Sequence, residues 1–178
     1  MRLFVGIALP LEVSRMIAGL SVGIPGAHRV SPENMHVTLR FIGEADNVQA
    51  EYIDMNLAEI KSPAFEIRLS GVDYFGSNRK VRSLWAGVEK NEILIRLHEK
   101  VESAVVRSGQ QPGGHKFKPH VTLARFKGGA PSIAGAFIAA NNGFAAGPLP
   151  IDRFTLFQSC LTDNGAVYSA LAEYPLIG

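Results

Sequence analysis

The chain has 178 residues, enough for one compact domain or for two half-size lobes around a shared core, and too few for two independent domains of ordinary size. Apolar residues make up 47% and charged residues 19%, which supplies a sizeable core and excludes long disorder, while a formal charge of only +2 excludes a histone-like, nucleic-acid-coating role. Any anionic partner must therefore be attracted by locally placed charge.

The stretch from Met1 to Pro10 carries an apolar run that Pro10 and Glu12 interrupt before it reaches the length of a signal-peptide core. No run approaches the roughly 20 apolar residues a membrane-spanning helix requires, and a soluble protein is expected. Leu3, Val5, Ile7 and Leu9 alternate with Arg2, Phe4, Gly6 and Ala8, the period of a strand with one apolar face. Val13, Ile17, Leu20 and Ile24 then recur at helical spacing and are closed by Pro25-Gly26. After a loop over residues 27–34, a strand is predicted over 35–42 and a helix over 47–61, with Asp46 as N-cap and Val48, Tyr52, Met55 and Ile60 facing inward.

Phe65, Ile67 and Leu69 alternate with polar residues, and 81–88 supplies another strand after the polar loop 76–80, which predicts a hairpin. Leu94, Leu97, Val101 and Val105 form one helical stripe that stops at Gly109. A Pro/Gly-rich loop over 110–118 precedes a strand over 119–126, and an Ala-rich helix anchored by Ile133 and Phe137 is predicted over 131–142. Strands over 151–161 and 166–173 flank Thr162-Asp163-Asn164-Gly165, a strong hairpin signal. Cys160 lies in the first of these, where a small buried thiol is expected; without an internal disulfide partner it points to a reducing, cytoplasmic setting. Helices and hairpins in irregular alternation argue for an α+β fold of mainly antiparallel sheets.

One tetrapeptide occurs twice. His36-Val37-Thr38-Leu39 returns as His120-Val121-Thr122-Leu123, 84 residues later, and each copy is followed by an arginine and a phenylalanine. With only five histidines and four threonines in the chain, the match is read as an internal duplication or a strong imitation of one. On a strand, residues two apart share a face, so each histidine projects beside its threonine while Val37, Leu39, Val121 and Leu123 face the core. If the halves pack as pseudo-twofold mates, two imidazoles and two hydroxyls converge on one cleft. One imidazole then acts as acid and the other as base, which suits opening of a strained cyclic phosphodiester near neutral pH. Neither histidine has a carboxylate or second histidine at ligand spacing, so no metal or other cofactor is expected.

With Arg2-Leu3-Phe4-Val5-Gly6-Ile7, the run Asn34 to Glu44, Leu84-Trp85-Ala86-Gly87-Val88, Pro119 to Arg125 and a closing strand pair near Tyr168, the chain resembles the two-histidine phosphoesterases over nearly its whole length. Within them it is similar to the bacterial and archaeal RNA 2',3'-cyclic phosphodiesterases, also described as 2'-5' RNA ligases. The resemblance implies a single two-lobed domain over residues 1–178, with helices on the outer faces and a central cleft. It implies hydrolysis of RNA or nucleotide 2',3'-cyclic phosphates to 2'-phosphomonoesters, with His36 donating a proton to the departing 3' oxygen and His120 activating water. Thr38 and Thr122 then bind phosphate oxygens, and Arg125 adds a charged fork. The reverse reaction, 2'-5' ligation, and a non-catalytic RNA- or nucleotide-binding module are the alternatives, and a monomer is expected. The first strand departs from many related chains in carrying Gly6 and Ala8 where they have Ala and Asp.

Strict alternation points Arg125 away from His120, so its place in the cleft requires a bulge or the strand's end. Arg40 falls on the His36 face by parity, with a solvated strand-end position equally open. Phe4, Phe41 and Phe126 are read as core, with base stacking the alternative. Arg79, Lys80, Arg82, Lys116 and Lys118 are open to either an RNA-steering or a solvated role. His28, His98 and His115 lack the companion threonine and are assigned no chemistry.

Overall fold

A computed structural model of the chain describes residues 1–130 and 133–177. In chain order the elements are β1 (Arg2–Ala8), α1 (Leu11–Ala18), β2 (His28–Arg29), β3 (His36–Glu44), α2 (Asn47–Ala58), β4 (Phe65–Ser77), β5 (Lys80–Val88), α3 (Glu92–Arg107), β6 (His120–Ala130), α4 (Ala134–Asn141), β7 (Ala145–Ile151), β8 (Arg153–Thr162) and β9 (Gly165–Pro175). Among the described residues no helix is long and apolar enough to cross a membrane.

The fold is α+β, as expected, and every strand pairing among the described residues is antiparallel. The strand order is β7-β4-β5-β6-β3-β1-β8-β9, with β2 paired to β6. From the middle outward, the motif strands β6 and β3 are flanked by β5 and β1, which precede α3 and α1 in the chain, then by β4 and β8, and at the edges by β7 and β9. The two halves therefore repeat one another in topology. They form one continuous sheet rather than separate ones, and among the described residues the only pairing between β3 and β6 is Val37 opposite Val121.

The apolar faces read from the sequence make one core. Leu3, Val5, Ile7, Val37, Leu39, Val121 and Leu123 bury their side chains from the sheet, and Leu94, Leu97, Val101 and Val105 cover them from α3. Each such burial contributes about 1.5–3 kcal/mol before entropy is counted. Asn91 caps α3 by accepting from the Leu94 N–H at 3.0 Å, and Gly109, at φ 99°, ends it where a side chain would be strained.

Several expectations need correction. Val48, Tyr52 and Met55 of α2 are 60%, 55% and 63% exposed, and the buried stripe is Ile53 and Leu57. The helix carries two competing apolar stripes. A capping box between Asp46 and Gln49 fixes its start, Ala50 permits close approach, and Tyr174 of β9 donates to Asp54 at 2.6 Å, which together select the second stripe. α1 ends at Ala18 and a 3₁₀ turn at Gly19–Ser21 replaces its predicted last turn, consistent with the poor helix propensity of Gly19. Cys160 is exposed, because its strand covers nothing at that end. β2 and β7 were not predicted. β7 hides behind Pro148 and Pro150, residues a sheet tolerates on an edge strand such as this one. The first part of the predicted helix over 131–142 lies outside the described residues.

The corrected face of α2 has a direct test. Leu57→Ala is expected to lower unfolding free energy by about 2–5 kcal/mol, as buried leucine truncations do. Met55→Ala is expected to change it by less than about 0.5 kcal/mol. Urea denaturation of both variants decides, and the opposite ranking would restore the predicted orientation.

Candidate active site

The Val37–Val121 pair sets the site. Residues opposite each other in antiparallel strands point to one face, and both valines are fully buried. Their neighbours His36, Thr38, His120 and Thr122 all project from the other face, half-buried. In this register His36 stands across from Thr122 and Thr38 across from His120. The two imidazoles occupy the diagonal, where Cβ atoms in a regular sheet lie about 7–8 Å apart. That spacing leaves room for one phosphoryl group between the rings. All four predicted motif residues are therefore brought together.

The Nδ1–H of His36 donates to the Asn34 carbonyl at 2.7 Å. A carbonyl only accepts, so the proton of the neutral ring sits on Nδ1, and Nε2 accepts from the Thr38 hydroxyl at 2.8 Å. Asn34 is itself held by a bond from its side-chain amide to the Ala166 carbonyl of β9. Aromatic rings enclose the imidazole: Phe4 at 4.7 Å, Tyr168 edge-on at 5.4 Å and Phe157 at 6.2 Å between centroids. Gly6 matters here, since a Cβ on it would lie 3.2 Å from the His36 ring and 3.0 Å from the Val37 carbonyl oxygen. Burial among these groups pushes His36 from 6.5 down to about 4; the Asn34 carbonyl opposes the shift, and the charges of Arg125 and His120 add to it.

His120 repeats the arrangement. Its Nδ1–H donates to the Lys118 carbonyl at 2.6 Å, again two residues upstream, and Nε2 has no hydrogen-bond partner among the described residues. Phe75 stands edge-on at 4.9 Å and Trp85 lies at 5.4 Å, while the Lys118 ammonium sits 5.1 Å from the Trp85 ring. Its pKa is also lowered, first by burial and then by Arg125 and Lys118, against the pull of the Lys118 carbonyl.

Arg125 reaches the site through a bulge. β5 pairs Trp85 with Thr122 and Leu84 with Ala124, skipping Leu123, so Leu123 and Ala124 are both buried and Arg125 returns to the face of Thr122. It forms no ion pair or hydrogen bond among the described residues, and its charge acts on both histidines. Arg40, its counterpart in the first repeat, is instead bound: Nε pairs with Glu102 at 2.5 Å, and the guanidinium also donates to the carbonyls of Phe41 and Gln111. The solvated alternative for Arg40 is set aside.

Phe4 and Phe126 are core residues, as expected, although the Phe4 ring also touches His36; Phe41 is 58% exposed and is not core. His98 accepts its predicted structural role, stacked on Phe117 at 3.9 Å and bonded through Nδ1 to the Leu39 carbonyl. Phe157, Tyr168, Phe75 and Asn34 were not singled out from the sequence as contacts of the histidines. Phe157, Tyr168 and Phe75 come from other strands, which no local signal marks, whereas Asn34 lies two residues before His36 in the preceding turn. Among the described residues no three His, Cys, Asp or Glu side chains cluster as metal ligands do.

A family model described as the 2'-5' RNA ligase superfamily matches residues 11–160. The chain is 36% identical over 153 residues to an RNA 2',3'-cyclic phosphodiesterase of Aeropyrum pernix, covering 85% of this chain and 86% of that one. It is 31% identical over 178 residues to the enzyme of the same name from Archaeoglobus fulgidus, covering 98% and 99%. The crystal structure of E. coli LigT complexed with 3'-AMP matches with a TM-score of 0.80 at 27% identity, covering 98% and 97% of the two chains.

The depressed pKa of His36 links stability to pH. An unfolded histidine takes up its proton near 6.5 and the folded one only near 4, so folding stability is expected to fall as pH drops from about 6.5 toward 4. Proton NMR should place the His36 midpoint near 4, and His36→Asn should flatten the decline in that window. A His36 midpoint at 6.5 or above would contradict the buried, proton-poor site.

Proposed function

Since the chain belongs to the 2'-5' RNA ligase superfamily, we propose that it opens 2',3'-cyclic phosphates at RNA or nucleotide ends to 2'-phosphomonoesters, using His36 and His120 as an acid/base pair without a metal ion. One observation carries the reading: two imidazoles on the diagonal of a single strand pair, each tautomer set by a backbone carbonyl so that Nε2 is the working nitrogen. The names of the relatives and the 3'-AMP complex of LigT support a nucleotide phosphate as the occupant.

A cyclic phosphate between the rings has its bridging 3' oxygen toward His36 and a water toward His120. His120 Nε2 takes the water proton as oxygen attacks phosphorus, the P–O3' bond breaks, and protonated His36 gives its proton to the departing oxygen. The diagonal placement of the rings supports in-line displacement, which requires the two nitrogens on opposite sides of one phosphorus. The Thr38 hydroxyl turns from His36 to a non-bridging oxygen, Thr122 binds the other, and the Arg125 fork balances the charge that grows on them. The whole chain acts as one two-lobed unit, because each half contributes one histidine.

The free site holds both imidazoles neutral at physiological pH, and the substrate's negative charge raises their pKa values until one is protonated. The pair therefore titrates as a unit. On 2',3'-cyclic AMP, kcat/KM is expected to peak below pH 6.5, and kcat, which reports the loaded enzyme, at a higher pH. A rate climbing steadily from pH 5 to pH 9 is incompatible with paired histidines. His36→Ala and His120→Ala should each lower kcat about 10²–10⁴-fold, the usual range for a lost acid or base, and the wild type should keep full activity in excess EDTA and release 2'-AMP. Loss of activity to the chelator, or its survival in both variants, overturns the proposal.

A further inference from the structure

The end of the β8–β9 hairpin is not where its register would carry it. β1 supports β8 only as far as Ser159, which pairs with Arg2, whereas His36 lies beside Ala8 at the other end of β1. Beyond Ser159 the hairpin strands pair only with each other among the described residues, and Leu161 to Gly165 are exposed. A straight hairpin would take Ala166, the partner of Leu161, away from the site. Instead the Ala166 carbonyl accepts from the Asn34 side-chain amide at 2.7 Å, and the Tyr168 ring reaches both Phe4 and His36. The hairpin folds back across the sheet, and its end lands on the turn before the first motif.

Among the described residues Asn34 is the only side chain from outside the hairpin that hydrogen-bonds to this end; the bonds of Thr162 stay within it. No strand ladder holds the Asn34 backbone, which closes a 3₁₀ turn at Pro32–Asn34 two residues before β3 begins. Within the turn, the Met35 N–H donates to the Pro32 carbonyl at 3.2 Å, and the side-chain amide adds the tie to a distant strand. The second half meets the same need by other means. Lys118 precedes Pro119, which confines it to extended backbone, and its ammonium rests over the Trp85 and Phe75 rings. Asn34 precedes Met35 and has no such restriction.

Resting on the function proposed above, we infer that Asn34 is a positioning residue for His36, its side-chain amide clamping the folded-back hairpin to the turn while its carbonyl holds the ring. One residue thereby fixes two things at once: the proton on Nδ1, and the wall of Phe157 and Tyr168 against the imidazole. Both bear on Nε2. When His36 gives its Nε2 proton to the departing oxygen it is left in the Nδ1–H form, which is the form the Asn34 carbonyl holds. Without the clamp the turn and the hairpin end part, the ring samples both tautomers, and Nε2 loses its aim. Phosphate binding changes little, because Thr38, Thr122 and Arg125 do not depend on the clamp.

The test joins nitrogen NMR of the histidine rings at neutral pH with kinetics on 2',3'-cyclic AMP, in the wild type, Asn34→Ala and Asn34→Leu. The leucine keeps the branched shape of asparagine and removes only the donor. Both variants are expected to turn the Nδ1–H signal of His36 into a mixture of tautomers and to leave the His120 ring signals in place. They should lower kcat about 10–100-fold, the scale of a misplaced reacting group, with KM changed less than about twofold. An unchanged His36 ring and kcat overturn the clamp. So does a loss of kcat with the Nδ1–H signal intact, or an equal disturbance of His120, which would mark a general loosening. Wild-type protein inactive on the cyclic nucleotide overturns the proposed function instead, and the ring signals by themselves then uphold or overturn the clamp.

Discussion

Val37 and Val121 meet across a single antiparallel bridge, and the contact between them decides where every other group in the site can be. Each valine is fully buried, which forces the histidine and threonine on either side to the opposite face. A slip of one residue in either strand would carry one imidazole into the core and one valine into water. Because the strands part after this pair, the four polar groups surround an opening instead of packing against a third strand. The same bridge joins the two halves into one sheet, so the stability of the halves' association and the geometry of the site have a common source.

The site is built to be short of negative charge. Both histidines are held in aromatic surroundings, Phe4, Phe157 and Tyr168 around one and Phe75 and Trp85 around the other, where a proton is costly. Arg125 adds an uncompensated cation that acts on both. In the function proposed above, an anionic phosphate offsets all three deficits at once, and its arrival makes the proton inventory suitable for acid/base work. The backbone carbonyls of Asn34 and Lys118 fix which nitrogen is offered, so ring orientation does not depend on the ligand.

The two halves share a strand order and a motif, and differ in what surrounds them. The arginine after the motif has no ion pair among the described residues in the second half, where a bulge at Leu123 turns it to the face of Thr122, and is bound to Glu102 in the first. The segment before the motif strand pairs as β2 in the first half and stands off as a loop in the second. One side of the strand pair is thereby closed and the other open, which makes a pseudo-symmetric scaffold directional.

Local chemistry was enough to read the α+β class, the first strand, the hairpin at Asp163-Asn164, the α3 stripe and the two His-x-Thr pairs, because each depends on periodicity or on turn residues within a few positions. The same signals misjudged α2, where two apolar stripes compete and only the partners Tyr174 and the sheet beneath choose between Val48-Tyr52-Met55 and Ile53-Leu57. They overlooked β7, whose prolines suit only an edge, and placed Cys160 in a core that its end of β8 never meets. The sequence by itself determined which groups are available for chemistry and that they come in matched pairs. The tertiary structure alone decided that they meet, that Arg125 joins them and Arg40 does not, and that burial holds His36 near pKa 4, since register, bulges and desolvation arise between segments far apart in the chain.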